Sequence, residues 1–279
     1  MADPEPALRL ARLPSGSVRY VDVGTGPAVI LVHGSYGSLT HWAANIGPLS
    51  SRWRVVAIDL PGFGGSSPIP QGSGLDVFAR AVRELLACLD LQECAIGGFS
   101  FGGLVATEVA RMTPETITGL ILVSPPIPGA PPPHVAALQE EIGRLAVTQS
   151  LRASVVATLT RILLADPVRI TEEAIALTMD NLRRTQFRAR PLLGRSDLFG
   201  TLEQLDVPVL AVVGDRDPFR ALALDADRGR LAAAARQDCL RVIAGAAHWV
   251  CFDRPDDVNA LIAEFLASLP PSRTPRAAR

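Results

Sequence analysis

The chain has 279 residues, 48% of them hydrophobic, enough for one large α/β domain with an inserted element or for two ordinary domains. A formal net charge of -1 and an isoelectric point near 6.4 exclude the basic excess that nucleic acid or an anionic membrane surface demands. All 27 basic side chains are arginine, a bias that accompanies the high Ala and Pro content. Cys88, Cys94, Cys239 and Cys251 have neither metal-binding nor redox spacing and read as reduced core residues. The first residues have neither a positive start nor an apolar run, and no stretch is long enough to cross a bilayer, so a cytoplasmic location is expected.

In chain order, residues 8–13 and 18–23 read as two short strands joined at Pro14-Ser15-Gly16-Ser17, an antiparallel hairpin at a sheet edge. Strands and helices then alternate: strand 29–32, helix 41–49, strand 55–58, helix 76–89, strand 94–97, helix 104–110 and strand Ile117–Val123. These strands are apolar throughout, as a parallel sheet covered on both faces requires. From Ser124 to Pro133 the proline density forbids regular structure. A helical block follows, with helices predicted near 134–147, 150–165 and 172–188. Strands return at 207–213 and 240–243, and a last helix covers 255–269. The expected fold class is α/β: a mostly parallel open sheet with helices on both faces, an N-terminal antiparallel hairpin, and a helical block inserted after the sixth strand. The expected organisation is a core of 1–124 and 196–269, an insertion of 125–195 and a disordered tail of 270–279.

The segment Gly98-Phe99-Ser100-Phe101-Gly102-Gly103 sets a serine between glycines where an apolar strand gives way to a helix. A sharp strand-to-helix turn leaves no room for side chains two residues before and after its tip, and Gly98 and Gly102 meet that condition. The pattern resembles the nucleophile elbow of the α/β-hydrolase family. A serine hydroxyl is a weak nucleophile and needs a base, oriented in turn by an acid. Of His33, His41, His134 and His248, the last lies in Gly245-Ala246-Ala247-His248-Trp249 after the final strand, where the family's base stands. Val213-Gly214-Asp215-Arg216-Asp217-Pro218 offers two aspartates. Gly214 and Asp217 resemble the family's G-x-x-D, which leaves Asp215 to solvate the turn or pair with Arg216. Ser100, Asp217 and His248 then follow the family's order of nucleophile, acid and base.

His33-Gly34-Ser35-Tyr36-Gly37 resembles the family's H-G-x-x-G segment and implies the Ser35 amide as an oxyanion donor beside the Phe101 amide. Each such donor is worth ~2.7–4 kcal/mol in the transition state. His33 is then structural. Asp59-Leu60-Pro61-Gly62-Phe63-Gly64-Gly65-Ser66 resembles the family's D-x-P-G-x-G-x-S loop, with Asp59 tying the turn. The resemblance runs from about Val18 to Leu269, and the helical block resembles the family's cap. Tyr36, Phe99, Trp249 and Arg184 are the expected substrate contacts.

The resemblance implies a serine hydrolase without cofactor or metal that cleaves a small-molecule ester or lactone through an acyl-enzyme. Its expected state is a monomer or homodimer with no nucleic-acid or membrane partner. The serine argues against the family's dehalogenase and epoxide-hydrolase branches, whose chemistry requires a carboxylate nucleophile. Two other readings stand beside this one. One is carbon-carbon bond hydrolysis of a dienoate-type ring-cleavage product, against which the apolar Phe99 speaks. The other is a non-catalytic ligand-binding or accessory protein on the same fold.

Overall fold

A computed structural model describes residues 7–127, 132–194, 197–220 and 224–270. The hairpin forms as expected, from β1 (Arg9–Leu13) and β2 (Gly16–Val23). It joins β3 (Ala28–Val32), β4 (Arg54–Ile58), β5 (Cys94–Phe99), β6 (Ile117–Val123), β7 (Val209–Gly214) and β8 (Leu240–Ile243) in one sheet of order β1-β2-β4-β3-β5-β6-β7-β8. Pairing is antiparallel from β1 to β2 and from β2 to β4, and parallel across the rest.

Alternate residues of the apolar strands serve opposite faces. Ala28, Ile30 and Val32 of β3 pack with Phe78, Val82 and Leu85 of α2 (Leu75–Cys88) and with Val105 and Val109 of α3 (Phe101–Met112). Val29 and Leu31 pack on the other face, which α1 (Ala43–Ser50) covers with Ile46 and Leu49. Burial on both sides is why no polar alternation marks these strands.

Between β6 and β7 lie α4 (Pro133–Thr148), α5 (Leu151–Thr158), α6 (Glu172–Arg184), α7 (Arg190–Leu193) and α8 (Leu198–Glu203). α6 starts where the Thr171 side chain accepts from Ala174 N, with Glu172 and Glu173 in its first turn and Arg183 and Arg184 in its last, each sign at the favourable end of the helix dipole. Two predicted helices are shorter than expected. The one at 150–165 leaves α-geometry at Thr158 and finishes as a wide π turn, Leu159–Leu163. The one at 172–188 stops at Arg184, because Thr185 turns extended and Gln186 N donates to Gly62 O (2.8 Å) in the core. The buried Asn181 pins α6 to the loop after β3 by accepting from Ser38 Oγ (2.8 Å).

After β7 come α9 (Leu224–Ala235), α10 (Val250–Asp253) and α11 (Pro255–Ser268), and α11 packs Val258 and Ile262 beneath the sheet face that α1 also covers. α9 buries only Asp227, Leu231 and Ala234, so it lacks the apolar stripe by which a helix is recognised in sequence. Of the expected disordered tail, 271–279 lies outside the described residues. Among the described residues no helix is long and apolar enough to cross a membrane.

Candidate active site

The chain crosses from β5 to α3 in a single residue, Ser100, whose backbone is at φ 50°, ψ -120°. A side chain held there costs of order 1–3 kcal/mol and persists only where its surroundings dictate it. They do so here: Ser100 N donates to Val123 O (2.8 Å) and Gly103 N to Ser100 O (2.8 Å). A Cβ on Gly98 would collide with the Gly102 carbonyl, and one on Gly102 with the carbonyls of Val32 and His33. Both glycines are therefore required by close backbone approach.

Ser100 Oγ lies 3.1 Å from His248 Nε2, and His248 Nδ1 lies 2.8 Å from Asp217 Oδ2. A carboxylate only accepts, so Nδ1 carries the proton and Nε2 is left with a lone pair facing the serine hydroxyl. Asp217 is fully buried, and its other oxygen accepts from Phe219 N (2.9 Å). The neighbouring Asp215 is half-buried and serves the backbone instead, for its Oδ1 accepts from Gly245 N (2.7 Å) and so shapes the loop that carries His248. Ser100, Asp217 and His248 follow the ends of β5, β7 and β8, at the carboxyl edge where open parallel sheets place ligands.

The loop after β3 abuts the serine, for a Cβ on Gly34 would stand 3.1 Å from Ser100 Cβ. His33 orients this loop. Its Nδ1–H donates to Gly34 O (2.7 Å) while Leu60 N donates to its Nε2 (2.9 Å), a pair of bonds that one neutral tautomer satisfies. Fixing the Gly34 carbonyl fixes the peptide whose other side is the Ser35 N–H. Neither the Ser35 amide nor the Phe101 amide has a protein acceptor among the described residues. Phe101 is the first residue of α3, where an amide is free and the helix dipole favours negative charge. Asp59 ties the neighbouring turn, accepting from Leu39 N, Gly65 N and Arg19 Nε.

His41 is buried beside these groups, accepting from Gly34 N at Nδ1 (3.2 Å). Burial, and to a lesser degree the nearby His33 and His248, holds its pKa well below 6.5; burial likewise lowers that of His33. Above about pH 6.5 both rings are neutral in folded and unfolded chain alike. Below it the unfolded chain binds protons that the folded chain refuses, so stability is lost as pH falls toward the folded-state values. The thermal midpoint is expected to decline between pH 6.5 and 5, less steeply in His41→Gln. A wild-type midpoint that stays flat over that window would contradict the neutral state of these rings.

A cavity of about 420 Å³ opens on Ser100 and His248. Pro125 and Ile127 wall it from the end of β6, Gln139 of α4 and Arg190 of α7 from the insertion, and Phe219 and Arg220 from the loop that holds Asp217. The four expected substrate contacts do not line it. Phe99 and Trp249 are buried beneath the site against the His41 ring, at centroid distances of 5.2 and 4.9 Å. Tyr36 lines a separate hollow with Gln71 and Phe187, and Arg184 is turned outward to Asp180 (2.7 Å). Adjacency to a motif had nominated the aromatics, but adjacent residues on a strand or tight turn point to opposite sides. Phe219 and Arg220, two and three places after the acid, were open to the same reasoning; Arg190 lies in a stretch without periodicity. Among the described residues no His, Cys, Asp and Glu cluster is spaced to hold a metal.

Fold and site together define the class: a mostly parallel sheet with Ser100, His248 and Asp217 hydrogen-bonded at its carboxyl edge. Residues 27–255 match the alpha/beta hydrolase fold family, and the chain belongs to it. It is 35% identical over 121 residues to the dihydrolipoyllysine-residue acetyltransferase component of the acetoin cleaving system from Pseudomonas putida, a match that spans 43% of this chain and only 33% of that protein. It is 29% identical over 272 residues to 2-hydroxy-6-oxononadienedioate/2-hydroxy-6-oxononatrienedioate hydrolase 1 from Pseudomonas putida, covering 90% of this chain and 92% of the relative. Among solved structures it resembles the enol-lactonase from Burkholderia xenovorans LB400, with a TM-score of 0.75 at 22% identity over 93% of this chain and 100% of the other.

Proposed function

We propose that the protein is a cofactor-independent serine hydrolase that cleaves a small-molecule ester or lactone through an acyl-enzyme, with the helical insertion as its cap. The observation that carries this reading is the hydrogen-bonded chain from Ser100 through His248 to the buried Asp217, opening on a cavity. His248 Nε2 takes the hydroxyl proton as Ser100 Oγ attacks the carbonyl carbon. The amides of Ser35 and Phe101 hold the resulting oxyanion. Collapse expels the alkoxide, which His248 protonates, and a water activated by the same ring releases the acid. Asp217 keeps Nδ1 protonated and stabilises the imidazolium. The test is labelling by a fluorophosphonate probe, which wild type is expected to accept at one site. Absence of labelling in folded protein would sink the reading and favour a non-catalytic binding protein.

Charge balance in the cavity points to an acid-bearing substrate. Arg220 is already paired with Asp227 (3.1 Å), whereas Arg190 has no ion-pair partner among the described residues. Asp217, the carboxylate in the lining, is engaged by His248. A guanidinium without a protein partner at a cavity wall suits a substrate carboxylate. The preference in kcat/KM for p-nitrophenyl hemiglutarate over p-nitrophenyl butyrate is expected to fall about tenfold in Arg190→Ala. An unchanged ratio would remove Arg190 from substrate selection.

The second reading, carbon-carbon bond hydrolysis, draws on the likeness to the nonadienedioate hydrolase along nearly the whole chain. Against it stands the residue before Ser100, since Phe99 is buried against His248 with ring centroids 5.4 Å apart and offers no polar group. Turnover of a dienoate but of no ester or lactone would reverse the ranking.

A further inference from the structure

Asp253, the last residue of α10, is fully buried, and its carboxylate meets backbone amides. Oδ2 accepts from Ala247 N (2.8 Å) and from Ala165 N (2.8 Å), and Oδ1 accepts from Asp166 N (3.1 Å). These donors belong to two distant parts of the chain. Ala247 immediately precedes His248, while Ala165 and Asp166 follow the π turn of the insertion. The same two segments also meet directly, His248 N donating to Ile162 O (3.2 Å) and Trp249 N to Leu163 O (2.8 Å). The adjacent Arg254 pairs with Asp166 (3.1 Å), leaving the Asp253 carboxylate to the amides.

A buried carboxylate is costly unless hydrogen bonds satisfy its charge, and charge-assisted bonds to amides are the strong kind. Such a group fixes its donors firmly and tolerates little displacement. We propose that Asp253 is a positioning residue: it clamps the peptide before His248 to the insertion, so that the insertion and the base form one body. This rests on the reading of His248 as the general base. It assigns to the insertion a role beyond enclosing substrate, since its segment at 162–166 forms part of the seating of the imidazole over Ser100. A displacement of the base by about 1 Å costs on the order of 10²-fold in rate, and the reaching distance at stake is the 3.1 Å between Nε2 and Oγ.

The test compares wild type, Asp253→Asn and Arg254→Ala. Asp253→Asn keeps the shape but sets an NH₂ against amides that need an acceptor; Arg254→Ala removes the neighbouring ion pair to Asp166 and leaves the carboxylate's bonds to Ala247, Ala165 and Asp166 in place. For p-nitrophenyl butyrate, Asp253→Asn is expected to lower kcat and the fluorophosphonate labelling rate together by about tenfold or more with KM within about twofold. Arg254→Ala is expected to keep wild-type kcat even where its melting temperature drops. If Asp253→Asn does not fold, Asp253→Ser leaves room for a water to take up the amides and replaces it. Folded variants with wild-type kcat would overturn the proposal, as would failure of both Asp253 variants to fold, which would leave only a structural role. Wild type that itself does not label would instead sink the hydrolase reading, before any variant is compared.

Discussion

Ser100→Ala is expected to lower ester turnover by about 10⁶-fold and to abolish fluorophosphonate labelling, with the fold intact. Its Oγ is the only atom of the site that forms a bond to substrate in the proposed reaction, and its side chain makes no capping bond to α3 whose loss would unfold the helix. Any residual rate would come from binding and the oxyanion amides. Alanine keeps the φ of 50° and its strain, so the melting temperature should barely move. Ser100→Gly should be equally inactive yet more stable, by about 1 kcal/mol, because glycine adopts this backbone freely. Substantial turnover by folded Ser100→Ala would remove the serine from the chemistry, and a less stable Ser100→Gly would show that the turn is not strained.

Asp217→Asn is expected to cost about 10⁴-fold in kcat, and Asp215→Asn no more than a few-fold. The two aspartates are separated by one residue but by a large difference in environment. A carboxamide in place of the Asp217 carboxylate can offer His248 an NH₂ instead of an acceptor, which drives the ring to the tautomer with its proton on Nε2, facing the serine it should deprotonate. Asp215 makes one bond through Oδ1, to Gly245 N, and an asparagine oxygen can make that bond too. Steady-state kinetics on both variants settle the matter, and the reverse ranking would overturn the assignment of the acid.

The sheet and the residues that meet at its carboxyl edge were legible because each leaves a local mark. Apolar runs at 29–32 and 117–123 announce buried strands, and Gly98 and Gly102 announce a turn too tight for side chains. Asp217 stood out from Asp215 only through the resemblance of Gly214 and Asp217 to the family's G-x-x-D, and the burial of one and half-exposure of the other give that pattern a physical meaning. The cavity wall left no such mark. Arg190 and Gln139 come together only through packing of short helices on the core, whereas Arg184, nominated from sequence, finds its partner Asp180 one helical turn away and faces outward. Asp253 was equally hidden, since an aspartate before Arg-Pro reads as a helix start, and its acceptor role depends on amides 87 and 88 residues earlier.

His41 joins the two ends of the chain: its ring accepts from Gly34 N, and its carbonyl accepts from Trp249 Nε1 (3.0 Å) and Cys251 Sγ (3.5 Å). The loop beside the serine is thus braced by residues made more than 200 positions later. The reaction proposed above needs both the histidine and this brace, and during synthesis Ser100 emerges well before either exists. In the proposed reaction the nucleophile is therefore complete only once β8 and the residues that follow it have folded, so the onset of activity would report on completion of folding.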